Sequence, residues 1–296
     1  MTASDSMTNR VRYFEVVALV LGSIVIWWRP IAADFGLALS NDAYTHVLLI
    51  LPLSIALIYF GNKTTSLPST LESRGWLGPI LLVGAFLFRC AAAWNFWHLS
   101  AGNNLSLSMF SLVIWWIGMV IHCFGLGGFR SLLFPLCFLL LIVPFPEPVL
   151  NWITGFLQYQ SALAASVLFR LARVPVIRDG VVLSIPGLDI EVARECSSIR
   201  SSMMLLVTTL ILAHLFLRSP WRKVLLVVLA IPLCVVKNAV RIFTIVELGT
   251  RVDAGFLEGK LHRNGGILFL GFALILIVVL LWGLRRGEGG SQVRTA

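Results

Sequence analysis

The sequence predicts an all-α membrane protein that crosses the bilayer about eight times. Hydrophobic residues make up 58% of the 296 residues and charged residues only 12%, whereas soluble domains contain about 25% charged residues. The apolar residues gather in runs of about 20, the length that a helix needs to cross a bilayer. A membrane span must satisfy its own backbone hydrogen bonds, and the alternating short strands of a barrel are not evident, so helices are expected.

The whole chain, residues 1–296, is expected to form one domain, with a membrane bundle at 13–284 and a cytoplasmic tail at 285–296. The first apolar run ends in Trp27-Trp28-Arg29-Pro30 and has no small-residue cleavage site. We therefore interpret it as a retained helix and not as a signal peptide. The spans are predicted at residues 14–28, 43–61, 76–93, 107–126, 131–149, 199–217, 221–236 and 266–284.

The region between the fifth and sixth spans is less regular. Residues 151–174 are apolar but carry two glutamines and two arginines, which predicts an interfacial or re-entrant helix. Residues 175–195 are a polar excursion in which Arg178-Asp179-Gly180 and Pro186-Gly187 read as turns. The pattern predicts a small extracytoplasmic hairpin before the sixth span.

The formal net charge of +9 fits a protein of the lipid bilayer better than a nucleic-acid partner, because the charges lie between apolar runs. With both termini in the cytoplasm, basic residues divide eleven to eleven between the two sides. Ten of the outer eleven fall in two segments, 150–200 and 237–264. The remaining short loops divide eleven to one, which favours cytoplasmic termini in the cytoplasmic (inner) membrane.

The five cysteines differ in their surroundings. Four lie inside apolar runs, without CxxC or metal-ligand spacing, and are interpreted as small buried hydrophobic residues: Cys90, Cys123, Cys137 and Cys234. The fifth, Cys196, lies in the polar stretch Glu195–Ser202, where an acid, hydroxyl groups and an arginine precede a long apolar helix. This position favours chemistry over packing. No metal site and no cofactor are expected.

Helix lengths predict that Cys196, Arg241 and His262 lie at one depth. They are separated by 22, 19 and 23 positions from the inner residues Arg218, Arg222 and Arg285. At about 1.5 Å per helical residue these separations are roughly 28–35 Å, about one hydrocarbon thickness. All three residues are therefore expected near the outer membrane surface.

A cysteine, a histidine and an arginine together suit acyl transfer through a thioester. A thiol attacks as thiolate, which nearby cations and a helix N-terminus favour. Histidine can carry protons near neutral pH, and arginine can stabilise an oxyanion. We expect Cys196 to be the nucleophile, His262 the acid and base, and Arg241 the electrostatic stabiliser. The supporting candidates are Ser197, Arg200, which is one helical turn after Cys196, Asn238, which is one turn before Arg241, and Glu258, which is four residues before His262.

Each of these residues also has an ordinary structural interpretation. A cysteine at a helix start is commonly structural, and an arginine near a helix end can extend to the interface. His262 can belong to a surface loop, and Glu258 can lie on a solvated helix face. The shared depth of the three residues favours a functional site.

Several short motifs together resemble the exosortase/archaeosortase family of multi-pass membrane cysteine transpeptidases. The resemblance covers residues from about 40 to 275, and one departure is Ser198, where many relatives have glycine. Glycine allows close backbone approach. The matching stretches are Cys196–Arg200, Asn238–Ile242, His262 with Gly266 and Phe269, Asp42–His46 leading into Pro52, Phe134-Pro135 with Pro144 and Pro146, and Val176–Gly180.

The resemblance implies a function as well as a fold. It implies that Cys196, Arg241 and His262 are catalytic and hints that Asp42 and His46 support them, although an interfacial polar pair explains these two equally well. The implied partners are exported proteins whose C-terminus has a Pro-Glu-Pro-like motif, an apolar helix and a basic tail. Cleavage at the outer face would precede transfer to a surface acceptor, such as an exopolysaccharide-linked one.

Two other functions fit parts of the sequence. A transporter of small solutes or lipids would explain charged residues within the membrane, but it predicts inverted repeats and broken helices with charge at the midplane. A non-catalytic partner in exopolysaccharide export would need no thiol. The charges cluster at one face instead, which favours the cysteine transpeptidase or protease.

Overall fold

A computed structural model of the protein describes residues 3–64, 75–192, 199–253, 255 and 260–291. Within these ranges the chain forms ten α-helices, two short 3-10 helices and one three-stranded sheet. Their bounds are α1 Ala3–Ile26, α2 Trp28–Ser40, a 3-10 helix Asp42–Tyr44, α3 Val47–Thr64, α4 Leu77–Ala93, α5 Ala101–Ser131, α6 Leu133–Phe138, a 3-10 helix Leu139–Ile142, α7 Glu147–Leu171, β1 Ile177–Asp179, β2 Val182–Ile185, β3 Leu188–Glu191, α8 Ile199–Phe216, α9 Pro220–Arg251 and α10 Lys260–Ser291.

The prediction of an all-α polytopic membrane protein is confirmed, whereas the count of eight spans stays a prediction. Among the described residues, five helices are long and apolar enough to cross a membrane, or up to seven if each of two broken pairs is one span. The shorter apolar helix α4 corresponds to the predicted span at 76–93. The five are Asp42–Gly61, Ala101–Ser131, Ile199–Phe216, Pro220–Arg251 and Gly266–Glu288.

The structure divides the chain into two compact units, Met1–Glu147 and Pro148–Ala296. The single domain over 1–296 stays a prediction. The predicted boundary between bundle and tail at residue 284 falls inside helix α10, which continues to Ser291.

The first predicted span is a broken helix. Helix α1 ends at Ile26, and α2 starts at Trp28 with a bend of 69° between them. Trp27 at the break is fully buried, and its indole Nε1 donates to Ser108 O and to Ser111 Oγ on α5 at 3.0 and 2.9 Å. Because these bonds satisfy the indole N–H inside the unit, the bend is fixed by packing on α5.

Helices α4 and α5 pack very closely. The buried residues of α4 are Gly78, Ala85 and Ala92, spaced seven apart, so that one face of the helix is made of small side chains. A Cβ atom at Gly78 would come within 2.7 Å of the backbone of His122 on α5. Small residues at such an interface let helix backbones approach in a membrane, where packing drives association.

The predicted hairpin before the sixth span is a three-stranded antiparallel sheet in the order β1-β2-β3. Both connections use a glycine with positive φ, Gly180 at 58° and Gly187 at 84°, in line with the two predicted turns. The inward residues Leu183 and Ile185 pack on α7 and on the second half of α9.

The segment predicted as an interfacial or re-entrant helix is α7, a regular helix of 25 residues. Its buried residues include Ala162, Ala165 and Phe169, which contact the sheet and α9. Together with Leu133–Ile142 it has the composition of one broken span or of a re-entrant loop.

Candidate active site

The predicted site residues belong to helices α8, α9 and α10 or to the chain that leads into them. Arg241 and Asn238 lie on α9, and His262 occupies the first turn of α10. Cys196, Ser197 and Glu258 fall outside the described residues, as does the side chain of His262. The structure therefore describes the helices that carry Arg241 and His262, the helix that follows Cys196, and the side chain of Arg241.

Helix α9 buries a cluster of polar residues inside an apolar unit. Lys237 and Asn238 are each 1% exposed and Arg241 is 9% exposed. Because Lys237 and Arg241 are four residues apart and Asn238 and Arg241 three, all three side chains lie around one turn of the helix. We name Lys237, Asn238 and Arg241 the polar turn of α9.

The polar turn lies between two apolar clusters. On its N-terminal side Ala230 and Cys234 pack with residues of α8 and α10. On its C-terminal side Ile242 and Val246 pack with α7 and the sheet. Two buried cations at such a junction are costly unless the surroundings supply polar partners, which makes the turn a functional candidate.

Two hydrogen bonds join the start of α8 to the polar turn. The Lys237 ammonium group donates to Ser201 Oγ, and both groups are buried. One turn earlier, the Cys234 thiol donates to the carbonyl oxygen of Ser202 at 4.0 Å. The order of the pairs, Ser201 with the later residue and Ser202 with the earlier one, shows that α8 and α9 run antiparallel. The third residue of α8 is therefore level with Lys237.

Helices α9 and α10 are held together at their opposite end. The Arg222 guanidinium donates to the carbonyl oxygens of Leu284 and Gly287 at 2.9 and 3.0 Å. The carboxylate of Glu288 accepts the backbone N–H groups of Arg218 and Ser219. These bonds fix the lengthwise register of α10 against α9.

This register places the first turn of α10 level with Arg241. Arg241 is 19 residues beyond Arg222 on α9, and His262 is 22 residues before Leu284 on α10. At 1.5 Å per residue the two distances are roughly 28 and 33 Å. Arg241, the first turn of α10 and the first turn of α8 therefore lie at the same end of this three-helix bundle.

The chain that enters the segment with Cys196 is anchored on its other side. Val192 is 1% exposed, and its backbone N–H donates to Val181 O at 3.0 Å. Its carbonyl oxygen accepts a 2.9 Å bond from the Gln158 amide on α7. Seven residues later, α8 begins at Ile199. Both ends of the segment that carries Cys196 are therefore fixed.

Three predicted residues remain, one at the same end of the bundle and two in the N-terminal unit. Arg200 is exposed at the start of α8. Asp42 and His46 belong to the N-terminal unit, where Asp42 is exposed and His46 is 3% exposed. The His46 Nδ1 atom lies 3.2 Å from Ala43 O within the same turn.

A comparison with protein-family models gives one match that covers most of the chain. Residues 27–279 match the model described as transmembrane exosortase. The chain belongs to the transmembrane exosortase family. No curated protein and no solved structure matches the chain.

Family membership establishes the class of chemistry. Exosortases are membrane transpeptidases or proteases, generally cysteine-dependent, that act on exported proteins. The matched range includes all three residues of the predicted catalytic trio and both anchors of the segment that carries Cys196. Within the described part of this exosortase, no group of three or more His, Cys, Asp or Glu side chains could hold a metal ion.

Two polar residues of this site, Lys237 and Ser201, are not among the residues that the sequence of this exosortase predicts for it. The sequence shows Lys237 only as a basic residue of the segment 237–264 and Ser201 only as part of the polar stretch Glu195–Ser202. The signal for Lys237 was its place directly after the apolar run of α9, four residues before Arg241. Gln158 was noted as polar, but nothing in the sequence pairs it with a residue 34 positions away.

Proposed function

We propose that this exosortase is a cysteine transpeptidase or protease that cleaves C-terminal sorting signals through a thioester at Cys196. The main observation that supports this proposal is the burial of Arg241 at the end of the bundle where α8 and α10 begin. A buried guanidinium on a rigid helix is pre-organised to stabilise negative charge that develops beside it. The family match supports the same class of reaction.

The reaction balances with the three side chains alone. The Cys196 thiolate attacks the scissile carbonyl carbon, and the resulting oxyanion is stabilised by Arg241. When the C–N bond breaks, His262 gives a proton to the leaving amine, and a thioester remains on Cys196. An acceptor then gives its proton to His262, attacks the thioester and releases the Cys196 thiolate, which restores the starting state.

The proposed substrate is an exported protein that ends in a Pro-Glu-Pro-like motif, an apolar helix and a basic tail. Such a helix would hold the scissile bond at the outer face of the cytoplasmic membrane. Substrate and site would then meet by diffusion within the membrane plane. The basic tail would stay in the cytoplasm for the same reason as the short basic loops of the enzyme.

The test is processing of a tagged protein with such a C-terminal signal, co-expressed with the exosortase. Wild type, Cys196→Ala and Cys137→Ala are compared by gel shift and mass spectrometry. Cys137 is the matched control because it lies in the other unit and its thiol is exposed, so that its interpretation as a buried residue was wrong. We expect processing to be lost in Cys196→Ala and unchanged in Cys137→Ala, with equal amounts of inserted protein.

The mass of the new C-terminus distinguishes water from another acceptor. A free carboxyl group indicates hydrolysis, and a mass increase indicates transfer to an acceptor. Equal processing by wild type and Cys196→Ala would refute the thiol mechanism and leave a non-catalytic partner in export as the better hypothesis.

A further inference from the structure

The buried Lys237 is unexplained by packing and has no part in the reaction described above. It is 1% exposed, and its ammonium group reaches the start of α8 to bind Ser201. A neutral hydroxyl satisfies one N–H of the ammonium group but does not cancel its charge. Burying such a charge is expensive, and a membrane protein that retains one commonly uses it.

Among the described residues, no carboxylate acts on Lys237. On its own helix the groups that act on it are the Cys234 thiol and the Arg241 guanidinium, each one turn away. On α8 its hydrogen-bond partner is Ser201. Helix α10 has no ionisable side chain between Gly266 and Leu284, and the facing part of α7, residues 148–169, has only Tyr159, which binds Arg178. Lys237 and Arg241 are therefore neighbouring buried basic groups without a carboxylate between them.

Chain length limits how far this pair can be from the proposed nucleophile. Ser201 is five residues after Cys196. Even a fully extended chain of five residues spans no more than about 18 Å, and a helical one about 8 Å. The bond to Ser201 therefore ties the ammonium group to a residue that is five positions along the chain from Cys196.

We propose that Lys237 is a positioning residue of the active site, which holds the start of α8 against α9 and adds a second positive charge that favours the thiolate of Cys196. Ser201 supplies the mechanical connection, and the ammonium group supplies the charge. Arg241 remains the group that contacts the developing oxyanion. This proposal rests on the proposed function, because it assigns Lys237 a part in preparing the same thiol.

Residue-specific alkylation of Cys196 tests the charge directly. The full-length protein in membranes is treated with iodoacetamide at a series of pH values, and modification of each cysteine is measured by mass spectrometry. Alkylation requires the thiolate, so its pH midpoint reports how strongly the surroundings favour that form. The exposed Cys137 is an internal control in every sample.

Four variants distinguish the effect of the Lys237 charge from the effect of its hydrogen bond to Ser201. Lys237→Met and Lys237→Gln remove the charge, Lys237→Arg keeps it, and Ser201→Ala removes the hydroxyl while keeping the ammonium group. We expect the Cys196 midpoint to rise by about half a pH unit or more in both neutral variants. It should stay near the wild-type value in Lys237→Arg and Ser201→Ala, and the Cys137 midpoint should stay constant throughout.

Processing of the tagged substrate gives a second readout. We expect Lys237→Met to lower the processing rate at neutral pH by roughly threefold or more and to recover part of it at alkaline pH, since more thiolate then forms. Ser201→Ala should lower the rate without moving its pH dependence.

The outcomes that would overturn the proposal are specific. An unchanged Cys196 midpoint in a neutral variant that inserts normally would show that the charge of Lys237 does not reach the thiol. A midpoint that moves equally in Ser201→Ala would assign the effect to helix geometry. Failure of the proposed function is a different result, namely that Cys196→Ala still processes the substrate.

Discussion

Single residues in this exosortase show where polar groups are placed against the preference of a membrane interior. Lys237, Asn238 and Arg241 are buried on one turn of α9 and have polar surroundings. Asp34 on α2 is also fully buried, but both of its carboxylate oxygens lack a hydrogen-bond partner among the described residues. We expect the three residues of the polar turn to be retained for chemistry. Asp34 has a desolvation cost that no described hydrogen bond offsets.

Replacing Asp34 with asparagine should not destabilise the N-terminal unit. The substitution keeps the shape of the side chain and removes a buried carboxyl group that has no described partner, which relieves a desolvation cost. We expect a thermal midpoint equal to that of wild type or a few degrees higher. Thermal unfolding in detergent, followed by fluorescence, measures it.

Ser106→Ala provides the control for that substitution. Ser106 is a buried polar residue of the same unit whose hydroxyl donates to Gly102 O at 3.0 Å, so its loss should lower the midpoint slightly. A clear drop in Asp34→Asn with little change in Ser106→Ala would mean that Asp34 makes a stabilising interaction.

Arg241 should not tolerate replacement by lysine. The guanidinium is planar and presents several donors, whereas an ammonium group is a compact point charge with different reach. If Arg241 contacts the oxyanion, Arg241→Lys should lower the processing rate by a factor of about 10²–10³ with little change in substrate binding. Rates measured over a range of substrate levels, with Arg222→Lys at the far end of the bundle as control, check this. Equal loss in the two variants would point to a structural role.

At the scale of helices, close packing between α4 and α5 depends on the absence of side chains. A Cβ atom added at Gly78 would clash with the backbone of His122, and one added at Gly118 on α5 would lie tightly against Leu81 and Leu82. This interface needs small residues on both helices, because a backbone cannot move aside as a flexible side chain can.

The substitution Gly78→Ala should separate these two helices. The added methyl group would lie 2.7 Å from His122 Cα, far inside contact distance. Overpacking of this kind costs about 1–3 kcal/mol. Gly84→Ala on the same helix is the matched control, since its Cβ would meet nothing within 4 Å and alanine favours helix formation. Thermal midpoints in one detergent should fall for the first variant and hold or rise for the second. The reverse order would show that the α4–α5 interface is looser than the structure indicates.

For the whole molecule, the distribution of charge predicts the topology and therefore the side of the membrane that the site faces. The counts of basic residues in short loops predict cytoplasmic termini, so the sheet and the start of α8 should face outward.

Single cysteines placed at Ile177 on β1 and at Gln292 in the tail test this topology with a membrane-impermeant thiol reagent on intact cells. In a background without Cys137 and Cys196, Ile177→Cys should be labelled and Gln292→Cys should be labelled only after lysis. Ile177 is 75% exposed in the structure, so access in the folded unit is not the limiting step. The opposite labelling pattern would show that the termini are outside and the sheet is in the cytoplasm.

The amino-acid sequence alone predicts the class of protein, most of the helices and the helix ends at which chemistry is expected. Apolar runs of membrane length predict helices because the lipid leaves no other backbone partner, and this holds without knowledge of the fold. The motifs around Cys196, Arg241 and His262 predicted the family that the comparison shows.

The contacts between these helices are visible only in the tertiary structure. The break at Trp27, the third strand and the bond from Gln158 to Val192 depend on partners far away in the chain. The role of Lys237 depends on the same kind of information. Nothing in its local sequence distinguishes a lysine at the interface from one that is buried against Ser201, because burial is a property of the neighbouring helices and not of the residue.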